Sequence, residues 1–195
     1  MSDNKKETTL SLYANLLLRM KNLILSPREE WHTIHKLKKN TNEVLTEFSL
    51  PLIAMVSIAT FLNYILNYQE VNFELAIKQA TIAFTALFGG LYISYFIVRV
   101  LLKKCNFSND SNHAFRIVGY ASGLWYLITL IVSIIPELVL LHITSFYTFY
   151  IIWTTIDDTL GIKKNKKIII TVFIGIIIHF IPYFVKYSLL KLIYF

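Results

Sequence analysis

Few side chains in this chain combine into a chemical constellation. Glu29, His32 and His35 recur every three residues, a spacing that lines metal ligands along one helical face. Zinc takes three or four protein ligands, and with no further strong ligand nearby the plainer reading is of polar residues at a membrane interface. Asp157 and Asp158 could hold a divalent cation against a lipid phosphate, but no second acidic cluster falls on the same side. His142 and His179 lie within apolar stretches without an acidic partner, and a lone histidine there is more often a packing residue than a proton relay. Cys105 is the sole cysteine, which excludes an intramolecular disulfide and a CxxC pair. Neither a nucleophile elbow nor a zinc-protease helix is present. The residues predict no catalytic group, no cofactor and no metal.

The elements that would carry these residues are membrane spans. Hydrophobic residues make up 55% of the 195 and charged ones only 16%, a balance that belongs to a membrane protein. Five apolar runs, roughly 48–68, 80–102, 116–135, 138–156 and 168–190, are each about long enough to cross a bilayer. The predicted fold class is all-α, a polytopic membrane protein with five transmembrane helices and an N-terminal amphipathic interfacial arm. Residues 1–45 form the arm and 46–195 the transmembrane domain. The net charge of +7 suits membrane orientation rather than nucleic acid, because the cations lie between or before the spans. Of the 19 lysines and arginines, all but Lys78, Lys186 and Lys191 fall on one side of this topology, which predicts a cytoplasmic N-terminus and an external C-terminus.

The third and fourth runs are separated only by Pro136 and Glu137 and read as a tight hairpin, level at its open end so that Arg116 meets Asp157 or Asp158 as an ion pair. Gly119 and Gly123 form a GxxxG in the third span, and Ala83, Ala86, Gly90 and Ser94 form a smooth strip on the second. The two strips match in kind, and because small residues let helices approach closely in lipid these two helices are expected to pack closely. Pro182 is expected to kink the last span and free a backbone carbonyl.

In the arm, Ser11, Asn15, Arg19 and Asn22 make a polar stripe beside Leu10, Tyr13, Leu17, Met20 and Ile24, the pattern of a helix lying in the headgroup region or packed on a partner or on the protein's own spans. Ser26, Pro27 and Glu29 then read as a capping box that opens a second helix. That helix sets Trp31 and Ile34 on one side and ends in Lys36, Lys38 and Lys39, so it is expected on the cytoplasmic membrane surface with its cations near anionic lipid.

Residues 22–190 resemble the Yip family of five-span membrane proteins, named for interaction with Rab-type GTPases, and its bacterial branch in particular. Ile24-Leu25-Ser26-Pro27 with Glu30-Trp31 and Ile34, Gly119-Tyr120, and the hairpin turn at Ile135-Pro136 carry the resemblance. It implies a non-enzymatic membrane protein that organises membrane or protein partners: the lipid bilayer, and a membrane-protein partner or a second copy. Abundant Ile, Lys and Asn suggest a bacterial inner membrane. The alternative from another class is a small transporter or channel subunit with a polar path near Asn63, His142 and His179.

Overall fold

The computed structural model describes residues 9–66, 72–105, 110–160 and 164–193, of which the side chains of 9, 10, 157–160 and 164 are excepted. Among the described residues every regular element is helical. Five helices are long and apolar enough to cross a membrane: α3 (Thr41–Leu66), α4 (Phe73–Lys104), α5 (Ser111–Ile134), a fourth span over Pro136–Ile156, and a fifth over Asn165–Ile193. The fourth begins as a 3-10 helix, Pro136–Phe146, and continues as α6, Tyr147–Leu160; the fifth lies within α7, Lys164–Ile193. Two shorter helices, α1 (Thr9–Leu25) and α2 (Pro27–Leu37), precede them.

The central helix is α5. Its apolar window is 61% buried inside the protein against 28–44% for the other spans. It touches α3, α4, α6 and α7, and α4 in turn packs on both α3 and α7. The aromatic rings of Tyr92 and Tyr95 on α4 close on Phe115 of α5, at 6.0 and 5.3 Å between centroids.

The second and third spans pack on each other, but the glycines of their small-residue strips receive other neighbours. A Cβ added at Gly123 would stand 2.7 Å from the Phe48 ring, and one at Gly119 would stand 3.0 Å from Val44, so the GxxxG face of α5 receives the first turns of α3. Gly90 of α4 instead receives Pro182 of α7, whose Cγ would stand 2.9 Å from such a Cβ. Bulky residues fill each glycine notch here, a geometry that a search for matching smooth faces does not anticipate.

Prolines explain the irregular turns. Pro51 has no N–H to give the carbonyl four residues back, and its ring crowds that turn. The preceding residues, Leu45–Ser49, widen into a π-turn in which the Leu50 N–H bonds the Leu45 carbonyl. Ile135, forced out of the helical region by Pro136, is extended (φ −127°, ψ 86°) and ends α5, so the hairpin turns where its sequence predicts. Pro182 lies inside α7, which continues as a helix across it.

The second arm helix starts at Pro27 with Ser26 at its N-cap, but the Ser26 side chain makes no capping bond and the expected capping box is not formed. A capping box stands instead at the entrance to α3. The Asn40 side chain accepts from the Glu43 N–H at 3.0 Å, and the Glu43 carboxylate accepts from the Asn40 N–H at 2.7 Å.

Candidate functional site

The arm folds back on the end of the bundle where α5 begins. On α1, Leu16, Met20 and Leu23 repeat at helical spacing and are buried against the bundle, Met20 reaching the notch at Gly123. The polar stripe beside them turns toward α2. There the Glu30 carboxylate, only 5% exposed, accepts from Arg19 at 2.6 Å and from the Asn22 amide at 2.9 Å. The Arg19 guanidinium also lies over the Tyr120 ring, 5.4 Å from its centroid. A buried carboxylate needs such partners, because removing it from water without them costs far more than the pair returns.

Trp31 and Ile34 face inward, which corrects their expected place on a lipid surface. Trp31 is wholly buried, donates its indole N–H to the Ile151 carbonyl of α6 at 2.9 Å and meets Tyr120 edge-on at 6.1 Å. The apolar stripe was legible, yet a stripe seeks any apolar neighbour, and the heads of α5 and α6 supply one before lipid does. Lys36 and Lys38 are exposed, whereas Lys39 is half-buried and pairs with Glu47.

A cleft of about 310 Å³ opens between α1, α2 and the start of α3. Arg19, Glu30, Lys39, Glu47 and Tyr120 line it, with Leu12 and Leu18 at its edge. Its charges already pair across it, Arg19 with Glu30 and Lys39 with Glu47, so the arrangement fastens the arm and offers no nucleophile poised beside a base.

Arg116 sits deep at the same end. It donates to the Lys39 carbonyl at 2.9 Å and to Asp110 at 3.2 Å, binding the head of α5 to the chain that leaves α2. The side chains of Asp157 and Asp158, its expected partners, lie outside the described residues. The depth matching that paired them assumes equal rise on both sides of the hairpin. A 3-10 helix rises about 2.0 Å per residue against 1.5 Å in an α-helix, so the 3-10 half of the fourth span shifts that register by roughly one turn. His35 stacks on Trp31, approaches Thr155 Oγ1 at 3.3 Å through Nε2, and lies 5.7 Å from the ring of His113, a neighbour its sequence spacing does not reveal. Among the described residues no three His, Cys, Asp or Glu side chains gather as a metal cluster.

At the far half of the bundle the structure does bring His142 and His179 together. Both rings pack on Trp125, at 5.0 and 5.1 Å, and His179 Nε2 contacts Ser145 Oγ at 3.2 Å. Asn63 does not line the cavities beside them.

The family model of the Yip1 domain matches residues 21–185, from within α1 to beyond Pro182. No curated protein and no solved structure matches the chain.

Proposed function

The chain belongs to the Yip1 domain family, and from that premise we propose that it is a non-enzymatic integral membrane protein that gathers membrane or protein partners through its N-terminal arm. One observation carries the reading. While Leu16, Met20 and Leu23 hold α1 on the bundle, Tyr13, Leu17, Leu18 and Leu25 point away from it, each at least half exposed, with Lys21 among them. Leucines at this density around one long-stemmed cation suit the boundary between headgroups and acyl chains, where the lysine stem lies along apolar surface and its ammonium reaches phosphate. Glu30 fixes which face of α1 is turned outward, because it holds Arg19 and Asn22 on the opposite side.

The charge distribution supports the arm on the cytoplasmic face, and the abundance of Ile, Lys and Asn supports a bacterial inner membrane. In the five-span topology read from the sequence, sixteen of the 19 lysines and arginines fall on the arm's side of the membrane. The candidate partners are the bilayer itself and a membrane protein or second copy of the chain seated against α1; nucleic acid is not among them, because the cations lie between or before the spans in sequence.

The test is co-purification after mild solubilisation of the full chain, wild type against Leu17→Glu/Leu25→Glu. Both side chains point away from the bundle, so the variant keeps its fold. The wild type is expected to retain a stoichiometric partner or a second copy that the variant loses; retention by both would count against the arm as the organising surface. The transport reading gains one observation, the meeting of His142 and His179, but Asn63 stands apart from them.

A further inference from the structure

The 3-10 turn of the fourth span has a consequence for the far half of the bundle. At three residues per turn, His142 and Ser145 stand in one row, directed at Trp125 of α5 and His179 of α7. The hydrogen bonds there divide unequally. His179 is used within the protein, its Nδ1 on the Gly175 carbonyl at 2.8 Å and its Nε2 on Ser145. The single Ser145 hydroxyl proton lies between two acceptors, the His142 carbonyl at 2.5 Å and His179 Nε2, and serves one of them at a time. Trp125, 95% buried, has an indole N–H with no acceptor, and His142 Nδ1 is equally without a partner. An unmet donor inside a bundle costs roughly 1–3 kcal/mol, so its persistence points to an acceptor that arrives from outside the chain.

Two cavities of about 190 and 260 Å³ are lined by these residues and share Trp125, His142 and Tyr183 as walls. The first reaches Lys186 near the end of α7. The second is almost wholly apolar and opens past Ile143, Phe146 and Phe180, each more than 60% exposed on the flank of the bundle that faces acyl chains in a membrane. A cation at one end, an indole donor in the middle and an apolar exit at the other match an anionic head, an ester carbonyl and a hydrocarbon tail in that order.

We infer that this paired cavity seats one anionic phospholipid, with its phosphate at Lys186, an acyl ester carbonyl at the Trp125 indole N–H and the acyl chain leaving past Ile143 and Phe180. The site lies at the end of the bundle away from the arm and is independent of the arm's role. Gly90 against Pro182 closes α4 on α7 beside it, giving the lipid a fixed wall rather than a sliding one.

Native mass spectrometry of the full chain in detergent, titrated with palmitoyl-oleoyl phosphatidylglycerol, tests the assignment. The wild type should hold one lipid. Trp125→Phe, which keeps the ring and removes the N–H, should weaken it about fivefold, the equivalent of one net hydrogen bond of ~1 kcal/mol. Lys186→Gln should weaken phosphatidylglycerol to a similar degree while leaving palmitoyl-oleoyl glycerol, which has no phosphate, unchanged. Ala83→Leu, which fills the first cavity from the α4 wall, should lower occupancy of both lipids, and it keeps the proposal testable should Trp125→Phe fold poorly. Equal binding by wild type and all three variants would assign the lipid to the ordinary annulus and overturn the site. Palmitate bound as tightly as phosphatidylglycerol, and weakened equally by both Trp125→Phe and Lys186→Gln, would overturn the phospholipid in favour of a free fatty acid.

Discussion

Removing the Glu30 carboxylate leaves the Arg19 guanidinium, 18% exposed and sandwiched between α2 and the Tyr120 ring, without its anion. Breaking one side of such a pair costs about 3 kcal/mol, so Glu30→Ala should lower the melting temperature of the detergent-solubilised protein by roughly 5–10 °C. Glu30→Gln keeps an oxygen for one of the two donors and sets an NH2 against the other, so it should fall between. A drop no larger than that of an exposed site such as Glu29→Ala would mean that the arm is not held by this residue. The glycines supply a second ordering. A methyl group at Gly175 runs into the Phe149 ring, and one at Gly123 meets the buried Phe48 ring at 2.7 Å, whereas at Gly119 the nearest atoms are a Val44 methyl at 3.0 Å and the Ser49 hydroxyl at 3.2 Å. The Phe48 ring, locked in the core, cannot step aside as a methyl or hydroxyl can, and the half-buried Phe149 ring stands nearest of all, so overpacking should cost about 1–3 kcal/mol at Gly175 and Gly123 and less at Gly119. Thermal scans of the three alanine variants check that order. The GxxxG spacing points to Gly119 and Gly123 and not to Gly175, which stands in no such pair. What the glycines receive was not legible, because a notch in a helix does not specify whether a smooth face or a side chain will enter it.

At the scale of elements, punctuation was more readable than partnership. Pro27 and Pro136 start their helices where they stand, and Ile135 ends α5 for the steric reason its proline dictates. Asn40 followed three residues later by Glu43 carries the same capping signature as Ser26 followed by Glu29, yet only the former closes, and the capping preference alone does not rank them. Glu30 rather than Glu29 turns inward because Arg19 and Asn22 of α1 come to meet it, a contact between helices that no local pattern contains. The fourth span's 3-10 half was likewise hidden, since an apolar run says how much surface is buried and not how tightly the backbone winds. Trp31 tests the attachment of α2 to α6. Trp31→Phe removes one hydrogen bond to a carbonyl that Thr154 also bonds, so the acceptor keeps a partner and the loss should be about 1–2 kcal/mol. Trp31→Ala empties a fully buried site and should cost about 3–5 kcal/mol. Amide hydrogen exchange should report the loss first in α2 and the middle of α6. Unchanged protection there would detach Trp31 from the role the geometry gives it.

For the whole molecule, the number of spans follows from hydropathy and the fold class from the spans. The bundle's order around α5 does not, because every span is apolar on most of its surface and so fits several neighbours equally well in pattern terms. Orientation rests on the positive charges. Cys105 ends α4 at the arm's end of the bundle, and Asn72 caps the same helix at the other. In whole cells an impermeant maleimide should label an Asn72→Cys variant, while Cys105 should react only after permeabilisation; labelling of Cys105 in intact cells would invert the topology.

The outward face of α1 is the feature on which the functional reading depends most, and its surroundings can be measured in place. A nitroxide at position 17 and another at position 15, each on the full chain with Cys105→Ser and reconstituted in vesicles containing phosphatidylglycerol, report collisions with oxygen and with a water-soluble nickel chelate. Leu17 stands on the apolar side and Asn15 on the stripe beside the charged cleft. The label at position 17 is expected to be shielded from the chelate, rich in oxygen collisions where lipid covers the face and poor in both where protein does, while the label at 15 remains open to the chelate. Equal exposure of both positions to the chelate would leave the face in water and contradict the arm as the surface that this protein offers to its partners.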